Sequence, residues 1–186
     1  MRRPNEPPMP DPIGYFLTWS TYGTWLPGDD RGWIEYRRGW QLPDSIRMRE
    51  AKARMTEGAC ILDPEQRALV NDTIVQHCEI RNWCLHTVNC RSNHLHVVVS
   101  APIHPKRIQV QFKAWTTRRL KELEAASRGI RYDDQTMRDE WWAERGSRRW
   151  INDEDSLELA ILYVRDCQDH KPEAPARSSG AQHSNE

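Results

Sequence analysis

The sequence contains no apolar run approaching the roughly 20 residues that a membrane-spanning helix needs, so we expect a soluble protein. Its five cysteines are odd in number and lack the Cys-x-x-Cys spacing of a zinc clamp. Reduced thiols in the cytoplasm are therefore expected. There is also no excess of charge, because lysine plus arginine and aspartate plus glutamate both number 27. The net charge alone gives no indication of a nucleic-acid partner.

Charge is nevertheless distributed unevenly along the chain. Residues 106–149 contain 12 basic and 7 acidic side chains, and residues 31–54 contain 7 basic and 3 acidic ones. Positive segments of a neutral chain can form a phosphate-binding surface, because a binding site responds to the local potential. Helix faces exposed to solvent explain the same counts equally well on charge alone.

Length and composition indicate one folded domain with disordered ends. A chain of 186 residues suffices for one domain with a sizeable core. Residues 1–12 contain five prolines and few apolar side chains, and 171–186 are similarly polar, so we predict a disordered leader and tail. The folded part is placed at 13–170, with an insertion at about 23–62 whose structure the pattern does not predict.

The pattern along the folded part predicts four strands and three helices. Asp63, Pro64 and Gln66 form the N-cap, first-turn proline and capping-box partner of the first helix. The predicted strands are 13–20, 83–90, 93–100 and 140–151, and the predicted helices are 64–80, 105–125 and 153–167. Without the last helix the order is βαββαβ, which predicts an α+β, ferredoxin-like sandwich with helices on one face of an antiparallel sheet. The opposite face is then free to hold a functional site.

Two histidines stand one residue apart in the segment SNHLHVVVS, which spans residues 92–100. Residues i and i+2 of a strand point to the same face about 6.7 Å apart, so His94 and His96 can bind one cation through one nitrogen each. Ordinary surface histidines are the commoner explanation of such a pair. Burying two imidazoles without partners beside the VVVS run, however, costs on the order of a few kcal/mol. The sequence has no HExxH motif or carboxylate cluster, which favours an open Lewis-acid site over a structural zinc.

The segment NHLHVVV resembles the HUH motif, His-hydrophobic-His, of single-tyrosine HUH endonucleases. Together with DSLELAILYV on the last helix, it is similar to the IS200-like and REP-associated transposase family, over most of 13–170. The resemblance implies a ferredoxin-like domain that cuts and rejoins single-stranded DNA, commonly recognised through hairpins at the ends of an element. A cytoplasmic protein, associated with the nucleoid when bound to DNA, is expected. Monomer and homodimer both remain open.

The same resemblance implies roles for individual residues. His94 and His96 match metal ligands for Mg²⁺ or Mn²⁺, and Tyr163 on the C-terminal helix matches the nucleophile that forms a 5′-phosphotyrosyl link and frees a 3′-OH. The family often places a polar ligand about one turn beyond the tyrosine. This chain has Cys167 four residues after Tyr163, so the polar Gln168 that follows it is the predicted third ligand. A helix-end side chain is the alternative role for Gln168, and a boundary aromatic is the alternative for Tyr163.

Basic and aromatic side chains supply the predicted DNA contacts. Tryptophans 115, 141 and 142 can stack on bases, although core packing is favoured for Trp115 and for one of the adjacent pair. The side chains predicted to contact phosphates are Arg118, Arg119, Lys121, Arg145, Arg148 and Arg149.

Two other functions compete with a transposase. The chain can be a non-catalytic nucleic-acid-binding module derived from such an enzyme. It can also be a metal-binding regulator that adds Cys84, His86 and Cys90 to the histidine pair, although a thiolate-rich site prefers zinc. The transposase hypothesis is favoured because it accounts for both motifs and for the basic segments.

Overall fold

The structure is a computed structural model that describes residues 11–35 and 37–166. The predicted disordered tail, most of the predicted leader, Cys167 and Gln168 lie outside the described residues. Within them the chain forms six strands and four helices. Their order is β1 Gly14–Ser20, β2 Trp33–Glu35, β3 Gly39–Gln41, α1 Ser45–Ala53, α2 Pro64–Arg81, β4 Cys84–Cys90, β5 His94–Ser100, α3 Pro105–Arg128, β6 Ser147–Ile151 and α4 Glu154–Asp166.

Four of the strands form one antiparallel sheet in the order β4-β5-β1-β6, which confirms the predicted α+β class. The side chains of β5 alternate between its two faces, as the period of two requires. Leu95, Val97 and Val99 belong to the larger core, which α2 and α3 complete with residues such as Phe112. Val98 belongs to a second, smaller core that α4 completes. The sheet is therefore covered by helices on both faces.

The capping box of α2 forms as the sequence predicts. The Gln66 backbone N–H donates to the Asp63 carboxylate at 2.8 Å, and the Asp63 N–H donates to the Gln66 side-chain oxygen at 3.0 Å. These bonds satisfy amides that have no partner within the helix. The predicted helix at 105–125 is also confirmed and continues to Arg128 before a left-handed Gly129 ends it.

The fourth strand is shorter than predicted, because only Ser147–Ile151 pairs with β1. A Cβ at Gly146 would overlap the Thr18 carbonyl oxygen and the Gln109 side chain, so this position needs glycine for the chain to enter the sheet. Residues 141 and 142 are outside the strand, and both tryptophan side chains are buried in the larger core. They are therefore not available to stack on bases.

The expectation that Trp115 packs in the core is wrong, since its side chain is 43% exposed. The buried stripe of α3 instead continues from Phe112 to Thr116 and Leu120. A buried threonine is tolerated here because its hydroxyl donates to the Phe112 carbonyl at 2.7 Å. Trp115 therefore lies at the edge of the stripe.

The insertion folds into the β2-β3 hairpin followed by α1. Trp33 is the buried side chain of the hairpin and lies beneath the Arg47 guanidinium, 5.0 Å from the ring centroid. Both ends of the insertion are hydrogen-bonded beside the β4-β5 turn. Thr21 N–H donates to Asn93 O at 2.9 Å, and Leu62 N–H donates to Ser92 O at 2.7 Å. The insertion is thus anchored directly before His94.

Across residues 11–35 and 37–166, no helix is both long and apolar enough to cross a membrane.

Candidate active site

The His94 and His96 side chains project from β5 toward the face of the sheet that α4 covers. Their ring centroids are 4.9 Å apart and the rings are nearly perpendicular, at 85°. His96 is 7% exposed, whereas His94 is half-buried. Strand alternation therefore places the two imidazoles side by side, as expected from their spacing.

Each imidazole has its Nδ1 atom occupied by a neighbouring side chain. The His94 Nδ1–H donates to the Asn93 side-chain oxygen at 2.7 Å, because an amide oxygen only accepts. Thr18 Oγ1, on the adjacent strand β1, lies 2.9 Å from His96 Nδ1. When His96 donates this hydrogen bond, both Nε2 atoms keep a free lone pair. Metal-binding histidines are oriented by such bonds from their second nitrogen.

Burial keeps both imidazoles neutral near pH 7. It lowers the pKa of His96 from 6.5 to about 4, with smaller contributions from the neighbouring His94 and Arg91. Burial and Arg91 also lower the pKa of His94. A histidine must be neutral to bind a metal ion through nitrogen, so this environment favours the ligand form.

Tyr163 reaches the histidine pair from α4 of the same chain. Its ring meets the ring of His96 edge-on at a centroid distance of 5.7 Å and that of Phe16 at 5.9 Å. Phe16 in turn stacks on His96 at 5.6 Å. The tyrosine is 45% exposed, and its hydroxyl has no hydrogen-bond partner within 11–35 and 37–166. The ring is thus packed against Phe16 and His96, while nearly half of the residue's surface stays exposed.

Asn89 holds α4 against the sheet. It pairs with His96 across β4 and β5, and its side-chain amide donates to the Val164 carbonyl at 3.0 Å. This bond ties the last described turn of α4 to the sheet. It also holds the residue directly after Tyr163 beside the histidine pair.

The two imidazoles fit two ligand positions of a divalent ion. They are adjacent, neutral and oriented through Nδ1, which is the donor set that open histidine sites use. No group of three or more His, Cys, Asp or Glu in the described part of the chain is placed to hold a metal. Gln168, the predicted third ligand, lies beyond that part.

A metal-binding regulator would add Cys84, His86 and Cys90 to the histidine pair, but these side chains do not lie beside it. Cys90 is buried in the larger core, on the side of the sheet opposite the histidines. Cys84 is exposed at the start of β4. His86 Nε2 is 2.8 Å from Ser100 Oγ, at a bulge in β4, so it already has a hydrogen-bond partner.

The six basic residues predicted to bind DNA do not lie together on one face of the sheet. Arg149 pairs with Phe16 across β6 and β1 and therefore shares the face of His96. Arg148 points to the other face, where it donates to Gln109 at 2.7 Å, and Arg145 lies in the loop before β6. The remaining three are on α3, across the sheet from the histidines, and form ion pairs with Glu122 or Asp139: Arg118, Arg119 and Lys121.

Sequence reasoning missed four side chains that support this site. Phe16 and Thr18 alternate along β1, but only the pairing of β1 with β5 brings them to His96. Asn89 depends on the register of β4 against β5 in the same way. Asn93, by contrast, directly precedes His94, so its proximity could have been noticed in the sequence.

We expect the stability of the protein to fall as the pH drops from about 6.5 to 4. The folded state lowers the pKa of His96, so the unfolded chain binds this proton more tightly in that range. Urea unfolding is measured in the presence of a chelator. Between pH 7 and pH 4.5 the free energy of unfolding should fall by about 2 kcal/mol more in the wild type than in His96→Gln. Equal losses in both proteins would contradict this assignment.

No protein-family model and no curated protein matches this chain. Among solved structures, the chain matches a REP-associated tyrosine transposase bound to a REP hairpin. The two are 11% identical with a TM-score of 0.45, and the match covers 88% of this chain and 68% of that one. At this level of similarity, function has to be inferred from the residues of the site.

Proposed function

We propose that this chain is a single-stranded DNA endonuclease and transposase of the single-tyrosine HUH type, acting at hairpin-bearing DNA ends. The observation that carries the proposal is the contact of Tyr163 with His96, which lies beside His94 on the same face of the sheet. An accessible phenol beside two neutral imidazoles combines a nucleophile with two metal ligands.

The topology supports a ferredoxin-like assignment for the proposed enzyme. When the insertion is set aside, β1, α2, β4, β5, α3 and β6 follow the βαββαβ order, and the sheet order is β4-β5-β1-β6. In this arrangement α2 and α3 cover one face. The other face carries the histidines, and α4 brings the tyrosine to it.

In the proposed reaction the Tyr163 oxygen attacks the phosphorus of a scissile phosphodiester. The bond from phosphorus to the 3′ oxygen breaks, a 5′-phosphotyrosyl bond forms, the phenol loses a proton and the 3′ oxygen gains one. A 3′-OH can reverse the step without ATP because the phosphotyrosyl diester retains the free energy of the broken bond. A Mg²⁺ or Mn²⁺ ion held by His94, His96 and Gln168 would polarise the phosphate oxygens.

The neighbouring residues have supporting roles in this proposal. Asn93 and Thr18 orient the two imidazoles through Nδ1. Phe16 packs against both His96 and Tyr163, so it holds the phenol ring at a fixed angle and excludes water from one side. Arg149, on the same face, can contact a phosphate oxygen. Such an enzyme would act in the cytoplasm, at the nucleoid.

Covalent capture of DNA tests the proposal. The protein is incubated with Mn²⁺ and a library of single-stranded DNA hairpins with randomised flanks, washed in SDS, and the retained DNA is sequenced. We expect one enriched hairpin with a constant cleavage position, here termed the selected hairpin. DNA that binds before the SDS wash but never survives it would instead support the non-catalytic binding module.

Asn89→Ala should slow formation of the adduct about tenfold while leaving affinity for the selected hairpin unchanged. The change removes the bond that holds Val164, the neighbour of Tyr163 on α4, near the histidines. A small misplacement of a reacting group costs rate rather than binding. Single-turnover kinetics and anisotropy measure the two quantities. Asn71→Ala serves as a control, because Asn71 accepts a hydrogen bond from the Cys90 N–H and lies on α2, on the other face of the sheet from α4 and the histidines. An equal loss of rate in both variants would argue against a positioning role.

A further inference from the structure

The β2-β3 insertion exposes a group of large apolar side chains that the proposed reaction does not use. Trp25 is 41% exposed, Trp40 is 60% exposed and Ile34 is 63% exposed. We call these three residues the tryptophan ledge. Exposed tryptophans are uncommon on a solvated surface and often mark a binding site.

The ledge is built around Gly32 and its rings are held in place. Trp25 Nε1–H donates to the Gly32 carbonyl at 2.8 Å. The Trp40 ring lies on Gly32 so closely that a Cβ there would overlap it, and the φ of +82° at this residue also favours glycine. Ile34 pairs with Trp40 across the hairpin, so both project from the same face. The indole rings are therefore fixed surfaces.

The charge around the ledge is complementary to a polyanion. The segment 25–54, which includes the whole ledge, contains 7 basic and 5 acidic side chains. Arg31 next to the ledge is 61% exposed although it pairs with Asp29, and Arg38 in the hairpin turn is 72% exposed although it approaches Glu35. Aromatic rings beside exposed guanidinium groups are the combination that binds single-stranded nucleic acid by stacking.

The chain that leads into the ledge is hydrogen-bonded beside the histidine site. Thr24, the residue before Trp25, donates its hydroxyl to the Asn93 carbonyl at 3.2 Å. Asn93 in turn accepts the hydrogen bond from His94 Nδ1. One loop therefore connects the first tryptophan of the ledge to the residue that orients a proposed metal ligand.

We propose that the tryptophan ledge stacks unpaired bases of the DNA strand that enters the histidine site. This inference rests on the proposed function, and it assigns the insertion the role of binding single-stranded DNA next to the cleavage position. Stacking tolerates any base sequence, since every base has an aromatic face. The ledge would therefore supply affinity for the unpaired strand rather than recognition of the hairpin.

Binding of a fluorescein-labelled 20-nucleotide oligothymidine in EDTA tests the ledge without cleavage. We expect Trp25→Ala and Trp40→Ala each to weaken binding about tenfold, with an unchanged dependence on salt because no phosphate contact is lost. Trp40→Phe should restore most of the affinity. Trp150→Ala, which removes a tryptophan of similar exposure from β6, is the matched control and should bind within about twofold of the wild type.

Cross-linking locates the contact directly. Oligothymidine containing 5-bromodeoxyuridine should cross-link on irradiation to peptides that contain Trp25 or Trp40. Binding within twofold of the wild type in both ledge variants, with no cross-link there, would overturn the inference. The inference would also be overturned if a ledge variant bound oligothymidine normally and its only defect were the loss of a dimer or of a protein partner.

The two proposals fail separately. Normal oligothymidine binding by the ledge variants, together with a covalent adduct that requires Tyr163, would remove the ledge proposal alone. Weakened oligothymidine binding by the ledge variants, together with a wild-type protein that forms no covalent adduct, would remove the proposed reaction alone.

Discussion

Tyr163→Phe should abolish the covalent adduct with the selected hairpin while the protein stays folded and still binds this DNA. Phenylalanine keeps the edge-on contacts with Phe16 and His96 and removes only the hydroxyl. That hydroxyl has no hydrogen-bond partner in the described part of the chain, so its loss should change the free energy of unfolding by less than about 0.5 kcal/mol. Denaturing gel electrophoresis, anisotropy and urea unfolding measure the three quantities.

Tyr22→Phe is the matched control for this substitution. The Tyr22 hydroxyl accepts the Thr56 N–H at 3.0 Å, at the insertion rather than beside the histidines. We expect the adduct to form normally in this variant, with a small loss of stability. Adduct formation that survives Tyr163→Phe at more than a few per cent of the wild-type level would assign the nucleophile to another residue.

Removing either histidine should abolish adduct formation and weaken Mn²⁺ binding. Changes to the outer partners of metal-binding histidines already cost 10- to 100-fold in metal affinity, so His94→Ala or His96→Ala should cost more than about 100-fold. Isothermal titration with Mn²⁺ in the absence of DNA measures the affinity independently of catalysis. We expect single-stranded DNA binding to be retained, because the two roles use different surfaces.

His104→Asn is the control for the histidine variants. His104 caps the start of α3, where its Nδ1 accepts the Lys106 N–H, and asparagine can also serve as an N-cap. Mn²⁺ affinity should therefore be unchanged. If His94→Ala and His96→Ala bound Mn²⁺ as tightly as this control, the pair would not be a metal site. Retained Mn²⁺ affinity with loss of adduct would point to a role in positioning DNA.

Parts of the fold could be predicted because they depend on local rules. The capping box at Asp63 and Gln66 defines the start of α2 within one turn of chain. The side-by-side placement of His94 and His96 follows from the period of two in a strand. On α4 the helical spacing of Leu157, Ala160, Ile161 and Val164 predicts a core-facing stripe. Ala160 and Val164 are buried, and Leu157 and Ile161 pack partly buried against the smaller core.

Other features depend on tertiary contacts that the sequence does not reveal. The strands of the β2-β3 hairpin are three residues each, too short to show a period, and their side chains are partly exposed. Trp115 lies at helical spacing with Phe112, yet the sheet buries the neighbouring Thr116 instead. Resemblance rather than geometry selected Tyr163 in the sequence, whereas its contacts with Phe16 and His96 come only from packing α4 on the sheet.

Peptide mass spectrometry of the covalent product is the most direct test of the central claim. The wild-type protein is reacted with the selected hairpin and Mn²⁺, then digested with nuclease and trypsin. A nucleotide linked through its 5′ phosphate to the peptide that contains Tyr163, together with a free 3′-OH on the released strand, is the predicted result. A 3′-phosphate linkage, or a nucleotide on a peptide that lacks Tyr163, would contradict it.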